Sequence, residues 1–130
     1  MIPLVQLDSR SAIEAAKCAL KRHKGRFCFG NEKAESGFYD LGLLTAEERQ
    51  MAIDIALEEI APDCRLGPQP PNARSAGLYR GKQLFAFCWW SAEFKKEIYF
   101  KFAFAPASDG DHLIVYSFHE STDKQTEASQ

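Results

Sequence analysis

Three residues that could carry acid–base and phosphate chemistry lie in two neighbouring stretches near the end of the chain. Tyr99 and Lys101 alternate within residues 97–104, and His119 closes residues 112–119. Histidine exchanges a proton near neutral pH, tyrosine donates a proton or a hydrogen bond, and lysine holds a phosphate as a point charge. A histidine at a strand end is also often structural, and alternating tyrosine and lysine are ordinary on an exposed sheet face. Both interpretations stay open at this point.

The elements that must position these residues are three consecutive strands. Residues 83–90, 97–104 and 112–119 are rich in aromatic and β-branched residues and are separated by short polar turns, which is typical of an antiparallel meander. Side chains alternate between the two faces of a strand. One face of the second strand is therefore apolar, and its other face carries Tyr99, Lys101 and Ala103.

The third strand divides by the same rule into two sets. Ile114, Tyr116 and Phe118 form one set, and the other contains Leu113, Val115, Ser117 and His119. If the second set shares a face with Tyr99 and Lys101, one open surface carries tyrosine, lysine, serine and histidine.

Two helices are predicted before the strands. The first begins at Asp8 or Ser9 and stops near Gly25, and the second begins at Thr45 in a Thr-x-x-Glu capping box and ends before Pro62. Between them, residues 30–37 are expected to form a polar loop, and residues 27–29 either a short strand or a buried anchor. Residues 61–82 form a proline-rich connector that contains Arg74.

The end of the first helix is basic, with Lys21, Arg22 and Lys24 close together. Cations favour a helix C-terminus through the macrodipole and also solvate the surface, so this cluster needs no function. An anion-binding patch is the alternative interpretation.

These elements predict an α+β fold in which an antiparallel sheet of three C-terminal strands packs against two N-terminal helices. With 130 residues the chain is long enough for one domain, expected over residues 1–120 and followed by a disordered polar tail over residues 121–130. No apolar run approaches the ~20 residues of a membrane span, and no signal peptide is evident, so a cytoplasmic location without a membrane partner is expected.

The composition narrows the chemistry further. The four cysteines form no Cys-x-x-Cys pair and have no His-x₃₋₅-His partner, so no zinc site and no cofactor are expected, and Cys18 and Cys88 are predicted to be small buried hydrophobes. Because the net charge is −2, any binding of nucleic acid must depend on a local basic patch. Gly-rich phosphate loops, nucleophile elbows and paired metal carboxylates are absent. RNA cleavage requires none of these motifs, because the substrate's own 2′-OH is the nucleophile.

Several short motifs, taken in order, resemble MqsR-type toxins within the RelE-like group of toxin–antitoxin ribonucleases. Residues 97–101 (EIYFK) resemble the family's Tyr-Ile-Lys strand, and residues 115–120 (VYSFHE) resemble its closing segment. Residues 41–43 (LGL) before the second helix and Gly67-Pro68 after it also match. The resemblance covers roughly residues 38–120.

This resemblance implies metal-independent mRNA cleavage and neutralisation by a cognate antitoxin protein. It implies that His119 is the general base, that Tyr99 is the acid or orienting group, and that Lys101 with Arg74 contacts phosphate. Two alternatives remain. The chain could be a non-catalytic protein-binding module that docks through Trp89 or Trp90, or an RNA binder without cleavage that uses Lys21, Arg22 and Lys24.

Overall fold

A computed structural model describes the chain over residues 8–66 and 83–121. The predicted α+β class is confirmed, with helices packed on one face of a sheet. In chain order the elements are α1 (Ser9–Arg22), β1 (Cys28–Phe29), α2 (Glu32–Asp40), α3 (Ala46–Glu59), a 3₁₀ turn (Pro62–Cys64), β2 (Phe85–Ser91), β3 (Lys96–Ala105) and β4 (His112–Glu120).

The sheet has the strand order β1-β4-β3-β2. The strands β2, β3 and β4 form the predicted antiparallel meander. The short strand β1 adds a fourth, parallel partner to β4, pairing Cys28 with Ile114 and Phe29 with Val115. The sheet is therefore mixed, and of the two interpretations of residues 27–29 the short strand is correct.

Both predicted helices begin where the capping residues indicate. The Asp8 Oδ1 accepts a hydrogen bond from the Ser11 backbone N–H at 2.7 Å, which satisfies one of the unpaired donors at the start of α1. At the start of α3, Thr45 and Glu48 form a reciprocal capping box. Cys18 lies on the outer side of α1 and is exposed, so the prediction that it is buried is wrong.

The expected loop over residues 30–37 is wrong, because most of this segment belongs to the helix α2. Asn31 caps it by accepting from the Ala34 backbone N–H at 3.1 Å. Ala34, Gly37 and Phe38 are the buried residues of this helix, and their three- and four-residue spacing is that of one helical face. The helical periodicity is hard to see in the sequence, because only three positions of α2 are buried and most of residues 30–37 are polar.

The main core lies between the three helices and one face of the sheet. Five phenylalanines from the three long strands are at most 1% exposed there: Phe85, Phe87, Phe100, Phe102 and Phe118. A smaller buried cluster lies on the opposite face and contains Leu84, Ala103, Ile114 and Tyr116. Both faces of the sheet therefore contain buried apolar side chains.

A β-bulge interrupts the β3–β4 ladder. Lys101 pairs with Ser117, but the next residue, Phe102, pairs with Val115, so Tyr116 is one extra residue in β4. A one-residue insertion reverses the face assignment of everything beyond it. As a result Val115 and Leu113 face the main core, while Ser117 and His119 lie on the face of Tyr99 and Lys101. The set of Leu113, Val115, Ser117 and His119, predicted to share one face, is thus divided between the two faces of the sheet by the bulge.

Candidate active site

The residues with acid–base chemistry meet on the sheet face that points away from the helices. Tyr99 and His119 are direct cross-strand partners, and Lys101 is the partner of Ser117 two positions along. The rings of Tyr99 and His119 lie 5.3 Å apart between centroids, with 31° between their planes. All four side chains are half-buried. The predicted combination of tyrosine, lysine, serine and histidine is therefore present on one surface.

The ring of His119 is held in a definite orientation. Its Nδ1 lies 2.8 Å from the Glu120 backbone carbonyl oxygen. A carbonyl oxygen only accepts hydrogen bonds, so this contact places the proton of a neutral imidazole on Nδ1. The lone pair is then on Nε2, which is the atom that can accept a proton from a substrate.

Burial changes the acid–base properties of the two neighbouring side chains. It raises the pKa of the Tyr99 hydroxyl, and nearby Cys88 adds to the effect, so Tyr99 keeps its proton at neutral pH. Burial lowers the pKa of the Lys101 ammonium, and the positive charge of Lys33 lowers it further. Over residues 8–66 and 83–121, no ion pair or hydrogen bond joins the Lys101 side chain to another residue. A desolvated cation of this kind favours an anionic ligand.

The helix α2 fixes the edge of this site. Gly37 lies directly against the Phe118 carbonyl oxygen, and a β-carbon at this position would also approach the His119 Cβ to 3.1 Å. Only glycine permits such a close approach of the helix to the strand. Lys33 lies four residues earlier, one turn along the same side of α2, which explains why its charge reaches Lys101. Sequence reasoning missed Lys33 because the segment was expected to be a loop.

The other predicted substrate contacts lie elsewhere. The residues Lys21, Arg22 and Lys24, named here the α1 patch, are at the C-terminal end of α1 beside the β3–β4 turn, where the Arg22 Nη1 donates to the Asp111 carbonyl oxygen at 3.5 Å. The start of β4 and His119 are separated by seven positions, or about 23 Å. The structure therefore does not bring the α1 patch together with His119. Arg74 lies outside the described residues.

Further along the same face, the surroundings change from polar to apolar. On the β2 side, Cys88 pairs with Tyr99 and Ala86 with Lys101. Beyond Lys101 the face continues into the buried cluster that contains Ala103 and Ile114. The polar half thus has a base, a proton donor and a cation within one small area, which is sufficient for general acid–base catalysis at a phosphodiester.

Comparisons with known proteins give no independent assignment: no family model, no curated protein and no solved structure matches the chain. Within residues 8–66 and 83–121, no helix has both the length and the apolar character that a membrane crossing requires.

Proposed function

We propose that this protein is a metal-independent endoribonuclease of the MqsR/RelE-like toxin type that cleaves mRNA in the cytoplasm and is neutralised by a cognate antitoxin protein. The observation that carries the proposal is the cross-strand pair of Tyr99 and His119 beside the desolvated Lys101. The sequence motifs that resemble this toxin family support the same assignment.

In the proposed reaction, the Nε2 of His119 takes the proton from the ribose 2′-OH, and the 2′-oxygen attacks the adjacent phosphorus. The bond from phosphorus to the 5′-oxygen breaks, Tyr99 donates a proton to that oxygen, and the products are a 2′,3′-cyclic phosphate and a 5′-hydroxyl. Lys101 balances the charge on the non-bridging phosphate oxygens, and Lys33 adds to the positive potential. Arg74 remains a proposed phosphate contact from the sequence alone.

The test uses purified protein and a pair of matched RNA oligonucleotides. One is all-ribose, and the other carries a single 2′-deoxy substitution at the mapped cleavage position. Cleavage of the first without added divalent metal, and resistance of the second, is the expected result. Cleavage of the deoxy oligonucleotide at that position would contradict attack by the 2′-oxygen, and an intact all-ribose RNA would contradict the endoribonuclease proposal.

In cells, induced expression of the wild type should arrest growth and deplete mRNA, whereas His119→Ala should do neither. Both proteins must accumulate to equal levels for the comparison to count. Equal growth arrest by the wild type and His119→Ala would show that toxicity does not require the proposed catalytic base.

A second function, a non-catalytic protein-binding module, is favoured by one observation. The side chain of Trp90 is 66% exposed, whereas its neighbour Trp89 is only 6% exposed. Exposed tryptophan is a frequent anchor of protein interfaces. In that case Trp90→Ala should abolish capture of a partner while His119→Ala has no effect on it, and the purified chain should not cleave RNA.

A further inference from the structure

A second cluster of reactive side chains lies far from the candidate active site, between the end of α1 and the turn that joins β3 to β4. It consists of His23, Asp109 and His112, and their ligand atoms all lie within 4.8 Å of one another. The Asp109 carboxylate is between the two rings: its Oδ1 is 3.1 Å from His112 Nε2, and its Oδ2 is 3.9 Å from His23 Nδ1. Two imidazoles and one carboxylate are a common donor set for zinc.

His23 is presented to this cluster in the manner of a metal ligand. Its Nε2 lies 3.1 Å from the Asp111 carbonyl oxygen and 3.3 Å from that of Gly110. Because carbonyls only accept, Nε2 carries the proton and Nδ1 has the lone pair that faces Asp109. Metal-binding histidines usually donate their second ring N–H to a carbonyl or carboxylate in this way, which fixes the tautomer. With only 5% exposure, the ring is also fixed by packing.

The two histidines lie close enough to share one ion. Their rings are stacked, with 3.7 Å between centroids and 15° between planes. Stacked rings direct their in-plane lone pairs along nearly parallel lines, so one ring must turn before both can bind the same ion, and the partly exposed His112 is the ring that can turn. Two ligands on one tetrahedral zinc ion lie about 3.3 Å apart, so the longest separation must close by at most about 1.5 Å. Asp109 lies in the exposed β3–β4 turn and His112 is the first, partly exposed residue of β4, so these two side chains make the adjustment.

We propose that His23, Asp109 and His112 bind a divalent transition-metal ion of the zinc type. Three protein ligands leave the fourth position to a water molecule on the exposed side of Asp109, whose side chain is 65% accessible. The ion would clamp the end of α1 to the β3–β4 turn. Arg22 lies against the same turn and is a competing positive charge. A site of this kind escapes sequence motifs because His23 and the Asp-x-x-His pair are at opposite ends of the chain.

The experiment titrates Co²⁺ into metal-free full-length protein and follows the visible absorption of tetrahedral cobalt, with Zn²⁺ then added as the competitor. One equivalent is expected to bind to the wild type and to be displaced by zinc. Asp109→Asn and His112→Ala should each weaken binding at least tenfold, because each loses one of three ligands. Arg22→Gln, which removes the competing cation, should bind as tightly as the wild type or more tightly.

His119→Ala is the matched control, since it removes the third histidine of the chain without altering the cluster. It should bind metal as the wild type does while losing the proposed ribonuclease activity, so the two proposals fail independently. Zinc should also raise the Tm of the wild type and of His119→Ala but not that of Asp109→Asn.

Any of three results would overturn the metal site. The first is a wild-type dissociation constant weaker than about 1 mM. The second is an affinity that survives both Asp109→Asn and His112→Ala. The third is an absorption band from cobalt–thiolate bonds, since the ion would then be held by cysteines such as the exposed Cys18 and Cys28.

Discussion

Tyr99 and His119 face each other across the β3–β4 ladder, with 5.3 Å between their ring centroids. Their alignment depends on the bulge at Tyr116, because without the extra residue the apolar Leu113 and Val115 and the polar Ser117 and His119 would share one face. The bulge lets a single strand contribute to the main core with its first half and to the candidate site with its second half. Bulges frequently redirect side chains in this manner beside functional sites.

The first prediction concerns these two partners in RNA cleavage. His119→Ala removes the general base and should lower kcat/KM by about 10²-fold or more, and Tyr99→Phe, which keeps the ring but removes the proton donor, should also lower it. Single-turnover cleavage of a defined RNA measures both effects. Tyr39→Phe changes a tyrosine that is 65% exposed on α2 and should leave the rate unchanged. A wild-type rate in His119→Ala would exclude the residue as the base.

The second prediction concerns the cost of burying Lys101. Its pKa is lowered in the folded protein, first by burial and then by the charge of Lys33, so the unfolded chain binds this proton more tightly. Stability therefore rises with pH between the lowered folded pKa and the unfolded value of 10.5. Lys101→Met keeps the aliphatic stem and removes the charge. It should raise the free energy of unfolding at neutral pH by up to about 1 kcal/mol while weakening RNA binding.

Urea titrations of wild type and Lys101→Met at several pH values measure this difference in the free energy of unfolding. The stabilisation by Lys101→Met should shrink as pH rises toward 10.5. Lys95→Met, at an exposed position in the turn between β2 and β3, is the matched control for the loss of a lysine charge. A loss of stability in Lys101→Met at neutral pH would show that the ammonium group stabilises the fold.

Much of this arrangement is predictable from the sequence, because the decisive signals are local. Period-2 alternation in residues 97–104 places Tyr99 and Lys101 on one face, and the caps Asp8 and Thr45 define two helix starts. The parts that escaped prediction depend on tertiary contacts. The period-2 pattern of residues 112–119 does not reveal the bulge at Tyr116. The helix α2 is stabilised by docking on β4 more than by its own composition.

The third prediction tests that docking through Gly37. A β-carbon there would overlap the Phe118 carbonyl oxygen, and a backbone atom in a central ladder cannot move away. Alanine has the better helix propensity by about 1 kcal/mol, but the overlap outweighs this gain. Gly37→Ala should lower the free energy of unfolding by about 1–3 kcal/mol, as measured by urea denaturation. Ser36→Ala, on the exposed side of the same turn, should be neutral or slightly stabilising.

Gly37→Ala should also impair cleavage by more than its lower stability explains, because α2 carries Lys33 and adjoins His119. The comparison is made at a temperature where both proteins are fully folded. Unchanged stability would mean that α2 packs against β4 differently from the structure.

The fourth prediction concerns the carboxylate that ties α3 to the β2–β3 turn. Glu59 accepts from Trp89 Nε1 at 2.9 Å and from the Glu93 backbone N–H at 3.1 Å. Burial alone would raise the pKa of Glu59, but these hydrogen bonds together with those from Ser91 and Ala92 outweigh it and the pKa is lowered. The carboxylate therefore contributes stability that is complete above the unfolded value of 4.5 and is lost as pH falls through the lowered folded pKa.

Glu59→Gln should accordingly destabilise the protein by about 1 kcal/mol at pH 7, because the neutral amide can satisfy only part of these donors. The difference from the wild type should vanish in acid, where Glu59 is itself neutral. Chemical denaturation across this pH range measures the difference. The adjacent Glu58→Gln removes an exposed ion pair with Lys17 and also the repulsion between Glu58 and Asp54, so its net effect should be small. A destabilisation of Glu59→Gln that persists in acid would point to packing instead of charge.

The last prediction separates the two groups of cations by their distance. Lys33 and Lys101 adjoin the candidate site, whereas the α1 patch is beside the far end of β4, about 23 Å from His119. An RNA of only a few nucleotides that occupies the site should not reach the patch. Its cleavage should therefore be reduced by Lys33→Gln and unchanged in the triple variant K21Q/R22Q/K24Q. A long RNA that reaches both should bind the triple variant more weakly. The slope of the logarithm of its binding constant against the logarithm of the salt concentration should become shallower by about 2, since three cations contribute about 0.7 each for single strands.

If the triple variant also slows cleavage of the short RNA, the patch and the site act together, and the path of the RNA must cross the helical face. If neither RNA responds, the α1 patch is a solvated helix end that favours the macrodipole, and the RNA contacts are confined to the sheet.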